Sequence, residues 1–352
     1  MTQHSSHRDF LSPDGKTLGP EVDDLLADKD ILVTGGTGSF GQSFIRSVLA
    51  RYRPRRLIIF SRDELKQYEM QLEPAFHNND VLRFFIGDVR DVERLEMALR
   101  GVDYVIHAAA LKQVPAAEYN PFECIRTNVL GAENIVNAAI RQGVKRVIAL
   151  STDKAASPIN LYGASKLASD KIFSAANNLS GQHGTRFSVV RYGNVIGSRG
   201  SVVPLFQRMV AEGATSLPIT DAAMTRFWIT LPQGVDFVLS CLHMMQGGEL
   251  FVPKIPSMRV LDLVEALAPG IKTHIIGIRP GEKLHEVMIT SDDARNTAEL
   301  ADRYIVWPTY TYWREEDRRP DEGKPVADGF SYSSDTNDEW LTPADLRALL
   351  GL

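Results

Sequence analysis

Between Ser151 and Lys166 the sequence gathers two sets of acid–base groups. One is Thr152-Asp153-Lys154. The other is the pair Tyr162 and Lys166 within Tyr162-Gly163-Ala164-Ser165-Lys166. Residues four apart share a helix face, so a helical stretch here points Tyr162 and Lys166 the same way. A tyrosine hydroxyl titrates near ~10 and must ionise more readily to act as a base at neutral pH. Lowering it by ~3 units takes ~4 kcal/mol of differential stabilisation, which a lysine ammonium and a second nearby positive charge can supply. A Ser/Thr, Tyr and Lys set is enough for hydride transfer alone. Asp153 and Lys154 add more: a carboxyl group can protonate a departing hydroxyl, and an amine can remove a carbon-bound proton. Together the two sets suggest chemistry beyond hydride transfer. The plainer alternatives are an ordinary Tyr/Lys pair on a surface helix, a capping Asp153 and a solvated Lys154.

Such groups need a rigid platform. Ile31-Leu32-Val33, Leu57 to Phe60, Arg83 to Ile86, Tyr104-Val105-Ile106 and Val147 to Leu150 are short apolar runs without alternation. Runs of this kind are expected of parallel strands covered on both faces. Helical patterns such as Phe44 to Ala50 and Val92 to Leu99 lie between them, which is the rhythm of a doubly wound α/β sheet. The sheet is expected to continue through Phe187 to Val190.

Directly after the first strand comes Gly35-Gly36-Thr37-Gly38-Ser39-Phe40-Gly41, spaced GxxGxxG. Glycines here allow a tight turn that brings backbone N–H groups and a helix N-terminus against a pyrophosphate. A strand before it and a helix after it are the context that a dinucleotide loop requires. An oxidised nicotinamide ring is then the second positive charge near Tyr162. The second strand ends in Ser61-Arg62-Asp63-Glu64-Leu65-Lys66. Ser61, Arg62 and Lys66 suit a ribose 2′-phosphate, while Asp63 would suit a free 2′-hydroxyl. NADP is the expected cofactor. Asp88-Val89 can reach the adenine, and the small Ala108 lets a dinucleotide lie close to the backbone. His107, in the same turn, is expected to be structural.

The 352 residues are 44% apolar and 24% charged, a globular balance, and enough for a large core with a second lobe. Residues 1–29 are expected to be a flexible polar extension. Residues 30–192 should form the dinucleotide domain with the acid–base groups. Residues 193–352, broken by Gly193, Gly197, Gly200 and Pro204, should form a smaller substrate lobe interleaved with it. Thr342, Pro343 and Gly351 bracket a short final helix as N-cap, first-turn proline and stop. The net charge of -5 argues against a nucleic-acid binder. Cys124 and Cys241 are far apart and outside any CxxC pair, so buried thiols in a reducing, cytoplasmic setting are expected. No apolar run reaches the ~18 residues of a membrane span. The eight histidines lack metal-ligand spacing, so no metal site is expected.

With these features together, the chain closely resembles the inverting UDP-N-acetylglucosamine 4,6-dehydratases, extended short-chain dehydrogenase/reductases that begin bacterial pseudaminic acid synthesis. The stretches that carry the resemblance are ILVTGGTGSFG, FSRDELKQ, FIGDVRD, HAAALKQVPAAEYNP, ALSTDKAASPINLYGASKLASDK, RYGNVIGSRGSVVP, MTRFWIT, FVPKIPSM and GIRPGEKLHEVMI. They are spread over most of the span from Ile31 to Ile289.

The resemblance implies a Rossmann-type fold, NADP, UDP-N-acetylglucosamine as substrate and a homo-oligomer, either dimer or hexamer. It implies Asp153 as the acid for the C6 hydroxyl, Lys154 acting at C5, and Tyr162 taking the C4 hydroxyl proton. Lys166 would hold the cofactor ribose and Thr152 would orient the C4 oxygen. On the substrate side it implies Asn194, Arg226 and Arg279 at the phosphates and Glu282 at the uridine ribose. Val202 belongs to the same site, and Lys112 lies where cofactor and sugar meet. Retaining relatives resemble the chain but carry Met at the position of Tyr162 and are usually membrane-anchored, so Tyr162 points to inversion at C5. Rival readings remain: a retaining dehydratase, or a UDP-sugar 4-epimerase or simple dehydrogenase that would not need Asp153 and Lys154. A non-enzymatic NADP-binding protein is a third, and it predicts a damaged YxxxK.

Overall fold

The computed structural model describes residues 25–181, 184–309 and 323–352. Each apolar run becomes a strand. They are β1 (Asp30–Thr34), β2 (Arg56–Ser61), β3 (Leu82–Ile86), β4 (Tyr104–His107), β5 (Arg146–Thr152) and β6 (Arg186–Tyr192). The six lie parallel in the order β3-β2-β1-β4-β5-β6. Strand order reverses at β1 and β4, which opens a crevice at their carboxyl ends, where ligands bind in folds of this kind.

Alternate residues of a strand face opposite sides. In β1, Ile31 and Val33 enter one core and Leu32 the other. The first core is closed by Phe44 and Val48 from the helix Ser39–Arg51 and by Phe237 and Leu242 from Leu231–Met244. The second is closed by Leu95 from Val92–Ala98, Ile135 and Val136 from Gly131–Gln142, and Phe173 from Leu161–Ser180. Burial on both faces is why the strands show no polar alternation. The outer strand β3 is the exception, with only Leu82 fully buried.

Beyond residue 193 the chain returns to the same sheet. Leu250–Pro253 pairs parallel with β6, and Arg303–Val306, Thr297–Glu299 and Lys324–Pro325 extend it antiparallel. The remaining segments build a smaller lobe around Val203, Phe206, Trp228, Leu263 and Leu346. Its three-stranded sheet joins Asn194–Val195, Thr225–Ile229 and Ser257–Arg259. The final helix, Pro343–Leu350, starts with a capping box between Thr342 and Asp345 and stops at Gly351 with φ 69°. Its Leu346 is fully buried.

The expected extension of residues 1–29 falls in two parts. Residues 1–24 lie outside the described residues. Residues 25–29 are docked: Leu26 is fully buried in the first core, and the Asp28 N–H donates to the Arg53 carbonyl. Leu25 packs partly buried against the same core, so this short segment joins the core before β1. Cys124 and Cys241 are both free and buried, and burial pushes the Cys241 thiol up.

Candidate active site

β5 delivers the first acid–base set. Thr152 is the N-cap of a single 3₁₀ turn, Asp153–Ala155, that projects from the strand end. Its hydroxyl donates to Asp153 Oδ1 at 2.8 Å, and Lys154 Nζ lies 3.0 Å from the same oxygen. Asp153 is fully buried, and its Oδ2 has no hydrogen-bond partner among the described residues. On the other side of Lys154, Glu286 Oε1 lies 3.2 Å from Nζ. Just before the turn, Ser151 Oγ donates to Asp170 at 2.8 Å, and Arg191 Nη2 donates to the same carboxylate oxygen at 3.0 Å.

The helix Leu161–Ser180 delivers the second set. Asn160 caps it by accepting the Gly163 N–H at 2.7 Å, and its amide donates to the Gly281 carbonyl at 2.7 Å. A Cβ on Gly163 would sit 2.2 Å from the Lys154 carbonyl oxygen. Only glycine lets this helix press against the Asp153–Ala155 turn and bring Tyr162 to Lys154. Tyr162 and Lys166 are both buried and line one cleft.

Burial pushes the Tyr162 hydroxyl up to about 12; the Lys154 ammonium and the Thr152 hydroxyl pull it down, and Asp153 adds to the rise. The main cation pulling Tyr162 down in the protein alone is thus Lys154. Burial pushes the Lys166 ammonium down, against the Asp170 carboxylate. At Lys154 burial also disfavours the charge, but Asp153 and Glu286 outweigh it and hold the amine above the ordinary lysine value. Lys154 and Asp153 are therefore an ion pair in the free protein.

A cleft of about 670 Å³ runs from Gly35, Thr37, Gly38, Ser39, Phe40 and Gly41 past Ser61, Arg62, Asp63, Lys66, Asp88, Val89 and Ala108 to Tyr162, Lys166 and Asn194. Its walls fit a dinucleotide on three observations. The helix Ser39–Arg51 begins at Gly38 with no side-chain cap and no acid in its first turn, so its N–H groups and positive end are left for an anion. Gly35 has φ +64°, and a Cβ there would lie 3.0 Å from the Ala109 backbone, so the loop can hug the β4 end only as glycine. Lys166 is a buried cation lining the cleft, without a hydrogen bond to another described residue.

At the adenosine end, Asp63 caps its own helix through the Lys66 N–H at 3.1 Å and pairs with Lys66 Nζ at 2.7 Å. Arg62 is half-exposed in the cleft wall, 3.8 Å from Asp88. Glu64 and Leu65 begin the helix Glu64–Leu72 and do not line the cleft. His107 is buried against Thr34 Oγ1 at 2.8 Å; burial, with Lys166 nearby, pushes it down to about 3. It is neutral and structural, as its sequence context suggested.

The residues expected around the substrate are placed unevenly. Lys112 and Asn194 line the cleft, and Lys112 Nζ donates to the Arg199 carbonyl at 3.1 Å. Val202 opens the helix Val202–Ala211 just outside it. Arg279 and Glu282 face each other at 3.6 Å, also outside the lining. Arg226 is buried, and its guanidinium donates to the carbonyls of Thr225, Lys283 and Leu284 at 2.7, 2.9 and 3.0 Å. In this structure Arg226 braces the chain leading to Glu286.

Sequence reasoning missed Arg199 and Glu286. Arg199 reaches across from the smaller lobe: its N–H donates to Ser39 Oγ at 3.1 Å and its Nη2 to the Thr37 carbonyl at 3.2 Å. Its place between Gly197 and Gly200, both at positive φ, marks a tight loop but not its target. Among the described residues no cluster of His, Cys, Asp and Glu could hold a metal ion, and no helix is long and apolar enough to cross a membrane.

This architecture has known relatives. The chain is 56% identical over 327 residues to a UDP-N-acetylglucosamine 4,6-dehydratase (inverting) of Campylobacter jejuni, covering 92% of this chain and 97% of the relative. It is 45% identical over 293 residues to a UDP-glucose 4-epimerase of Rickettsia akari, covering 80% and 84%. Among solved structures, Pen from Bacillus thuringiensis matches with a TM-score of 0.83 at 37% identity, over 92% of this chain and 98% of that one. Residues 31–308 match the sequence profile of one family across the sheet, the cleft and both acid–base sets; this chain belongs to the polysaccharide biosynthesis protein family.

Proposed function

We propose that this protein is a UDP-N-acetylglucosamine 4,6-dehydratase that inverts C5. Its product would be UDP-2-acetamido-2,6-dideoxy-β-L-arabino-hex-4-ulose, the first intermediate toward pseudaminic acid, made in the cytoplasm by a homo-oligomer. The observation that carries this reading is Lys154, paired with the buried Asp153 and lining a dinucleotide cleft together with Tyr162. The name of the Campylobacter relative supports it.

A nicotinamide dinucleotide held by the Gly35–Gly41 loop and Lys166 would supply the hydride acceptor for C4 and the hydride for C6. Tyr162 takes the C4 hydroxyl proton, with Thr152 orienting the oxygen and Lys166 holding the cofactor ribose. A C4 ketone acidifies the C5 proton. Lys154 removes it while Asp153 protonates the departing C6 hydroxyl. Both groups start in the wrong protonation state, as an ion pair. One proton moving across their 3.0 Å hydrogen bond gives a carboxylic acid and a neutral amine at unchanged net charge. Substrate that excludes water lowers the local dielectric, which favours this neutral pair over the ions. Elimination regenerates the ion pair. Return of a proton to C5 from the opposite face inverts that centre.

The Rickettsia relative favours a second reading, a 4-epimerase. That reaction uses Tyr162 but leaves the Asp153–Lys154 pair without a task. Mass spectrometry on purified protein with UDP-N-acetylglucosamine separates the two: the dehydratase product is lighter by one water, the epimer has the substrate's mass.

NADP is the cofactor on this reading, because Asp63 is engaged by Lys66 while Arg62, held among the described residues only by a long 3.8 Å ion pair to Asp88, lines the cleft where it can meet a 2′-phosphate. The dinucleotide is regenerated every cycle, so the purified protein is expected to retain it. Denaturation should release NADP, identified by chromatography. Release of NAD alone would instead make Asp63 the ribose ligand.

A further inference from the structure

Glu286 belongs to neither acid–base set, yet Lys154 and two further cations converge on it. It sits just before the short strand Val287–Ile289. Its backbone is fixed by Ser334: the Glu286 N–H donates to Ser334 Oγ at 2.9 Å, and the Ser334 N–H donates to the Glu286 carbonyl at 2.8 Å. The side chain is 2% exposed. Oε1 lies 3.2 Å from Lys154 Nζ and 3.8 Å from Arg226 Nε; Oε2 lies 3.9 Å from Lys283 Nζ and has no hydrogen-bond partner among the described residues.

Lys154 is therefore held between two buried carboxylates, and the two differ. Among the described residues Asp153 has one cation within ion-pair distance, Lys154. Glu286 faces three: Lys154, Arg226 and Lys283. Nearby positive charge favours the ionised carboxylate. The proton that leaves Lys154 goes to Asp153, whose Oδ1 is hydrogen-bonded to Nζ at 3.0 Å, while Glu286 stays beside Lys154, Arg226 and Lys283.

We infer that Glu286 is a positioning residue for water loss: it aims the Lys154 amine at C5 and holds the ammonium that Lys154 becomes. The inference rests on the dehydratase reading above. In that step the C5–H bond breaks and its proton goes to Lys154. The freed electron pair forms the C5–C6 bond's second component, the C6–O bond breaks, and the departing oxygen takes the Asp153 proton and leaves as water. Glu286 has no part in the C4 oxidation.

The test uses the full chain with its retained dinucleotide and UDP-N-acetylglucosamine in single turnover. Absorbance of the reduced nicotinamide follows oxidation, and mass follows water loss. Glu286→Gln keeps the shape and removes the charge. It is expected to oxidise C4 at the wild-type rate and to lose water more slowly, on the order of 10²-fold, so the reduced nicotinamide accumulates. Glu286→Asp restores the charge and should recover part of the water-loss rate; if the glutamine variant does not fold, Glu286→Asp must itself slow water loss more than oxidation. Equal slowing of both steps in these variants would make Glu286 only a brace for Arg226 and Lys283, and would overturn the inference. Wild-type water loss in Glu286→Gln would do the same. Wild-type protein that removes no water would overturn the dehydratase reading itself, a result distinct from either.

Discussion

Tyr162→Phe is expected to reduce turnover by roughly 10³-fold, within the range for loss of a general base, with no reduced nicotinamide appearing on mixing with substrate. The change removes one oxygen. The ring remains packed with Ala117, Cys124, Val114 and Leu161, so the fold should survive. The oxygen it removes titrates at about 12 in the protein alone because it is buried. The positive ring of a bound nicotinamide is the additional charge that brings it within reach of neutrality. Raising the pH favours the phenolate, so wild-type oxidation should quicken as pH rises toward the Tyr162 value, and the phenylalanine variant should lose this limb. Stopped-flow absorbance of the reduced nicotinamide measures both effects. Normal oxidation in Tyr162→Phe would assign the base to another group.

Lys154→Ala should give the opposite phenotype. C4 oxidation proceeds, water loss falls by about 10²-fold or more, and reduced nicotinamide persists beside a 4-keto sugar that still has its C6 oxygen. Removing Lys154 leaves Asp153 buried without its cation, a situation worth on the order of 3–5 kcal/mol if the charge stayed. Asp153 is expected to take up a proton instead, so the acid survives and the missing function is the base. Lys154 also lowers the Tyr162 hydroxyl, so oxidation in this variant should need a somewhat higher pH. Asp153→Asn should also oxidise without eliminating, for want of the acid. Water loss at the wild-type rate in Lys154→Ala would reduce Lys154 to a bystander.

The sheet was legible because its strands are buried on both faces, and an apolar run such as Val147 to Leu150 has few other ways to be covered. The dinucleotide loop was legible for a local reason as well: its glycines, the strand before it and the helix after it are contiguous. Tyr162 and Lys166 share a helix, so their common face followed from spacing alone. What spacing does not contain is distance across the fold. Lys166 was the expected partner of the Tyr162 hydroxyl, but Gly163 lets the helix press on the Asp153–Ala155 turn, and Lys154 is the cation that pulls that hydroxyl down. Arg226 looked like a phosphate clamp because guanidinium groups suit phosphates. Two of its donor contacts go to the carbonyls of Lys283 and Leu284, far along the chain, which no local pattern records. Glu286 was invisible for the same reason, since its three cations come from three separate stretches. Leu26 shows the limit at the other end of the scale. The run Leu25-Leu26-Ala27 is too short to show a period, yet Leu26 is completely buried.

The central claim is that one cleft oxidises, dehydrates and inverts. The most direct test is to run the reaction on UDP-N-acetylglucosamine in deuterated water and to examine the earliest product by NMR. The expected product has lost the C6 oxygen, carries deuterium at C5, and has the L-arabino configuration from its first appearance. A product that keeps its C6 oxygen, or an early product of D-xylo configuration that inverts only on long standing, would contradict it.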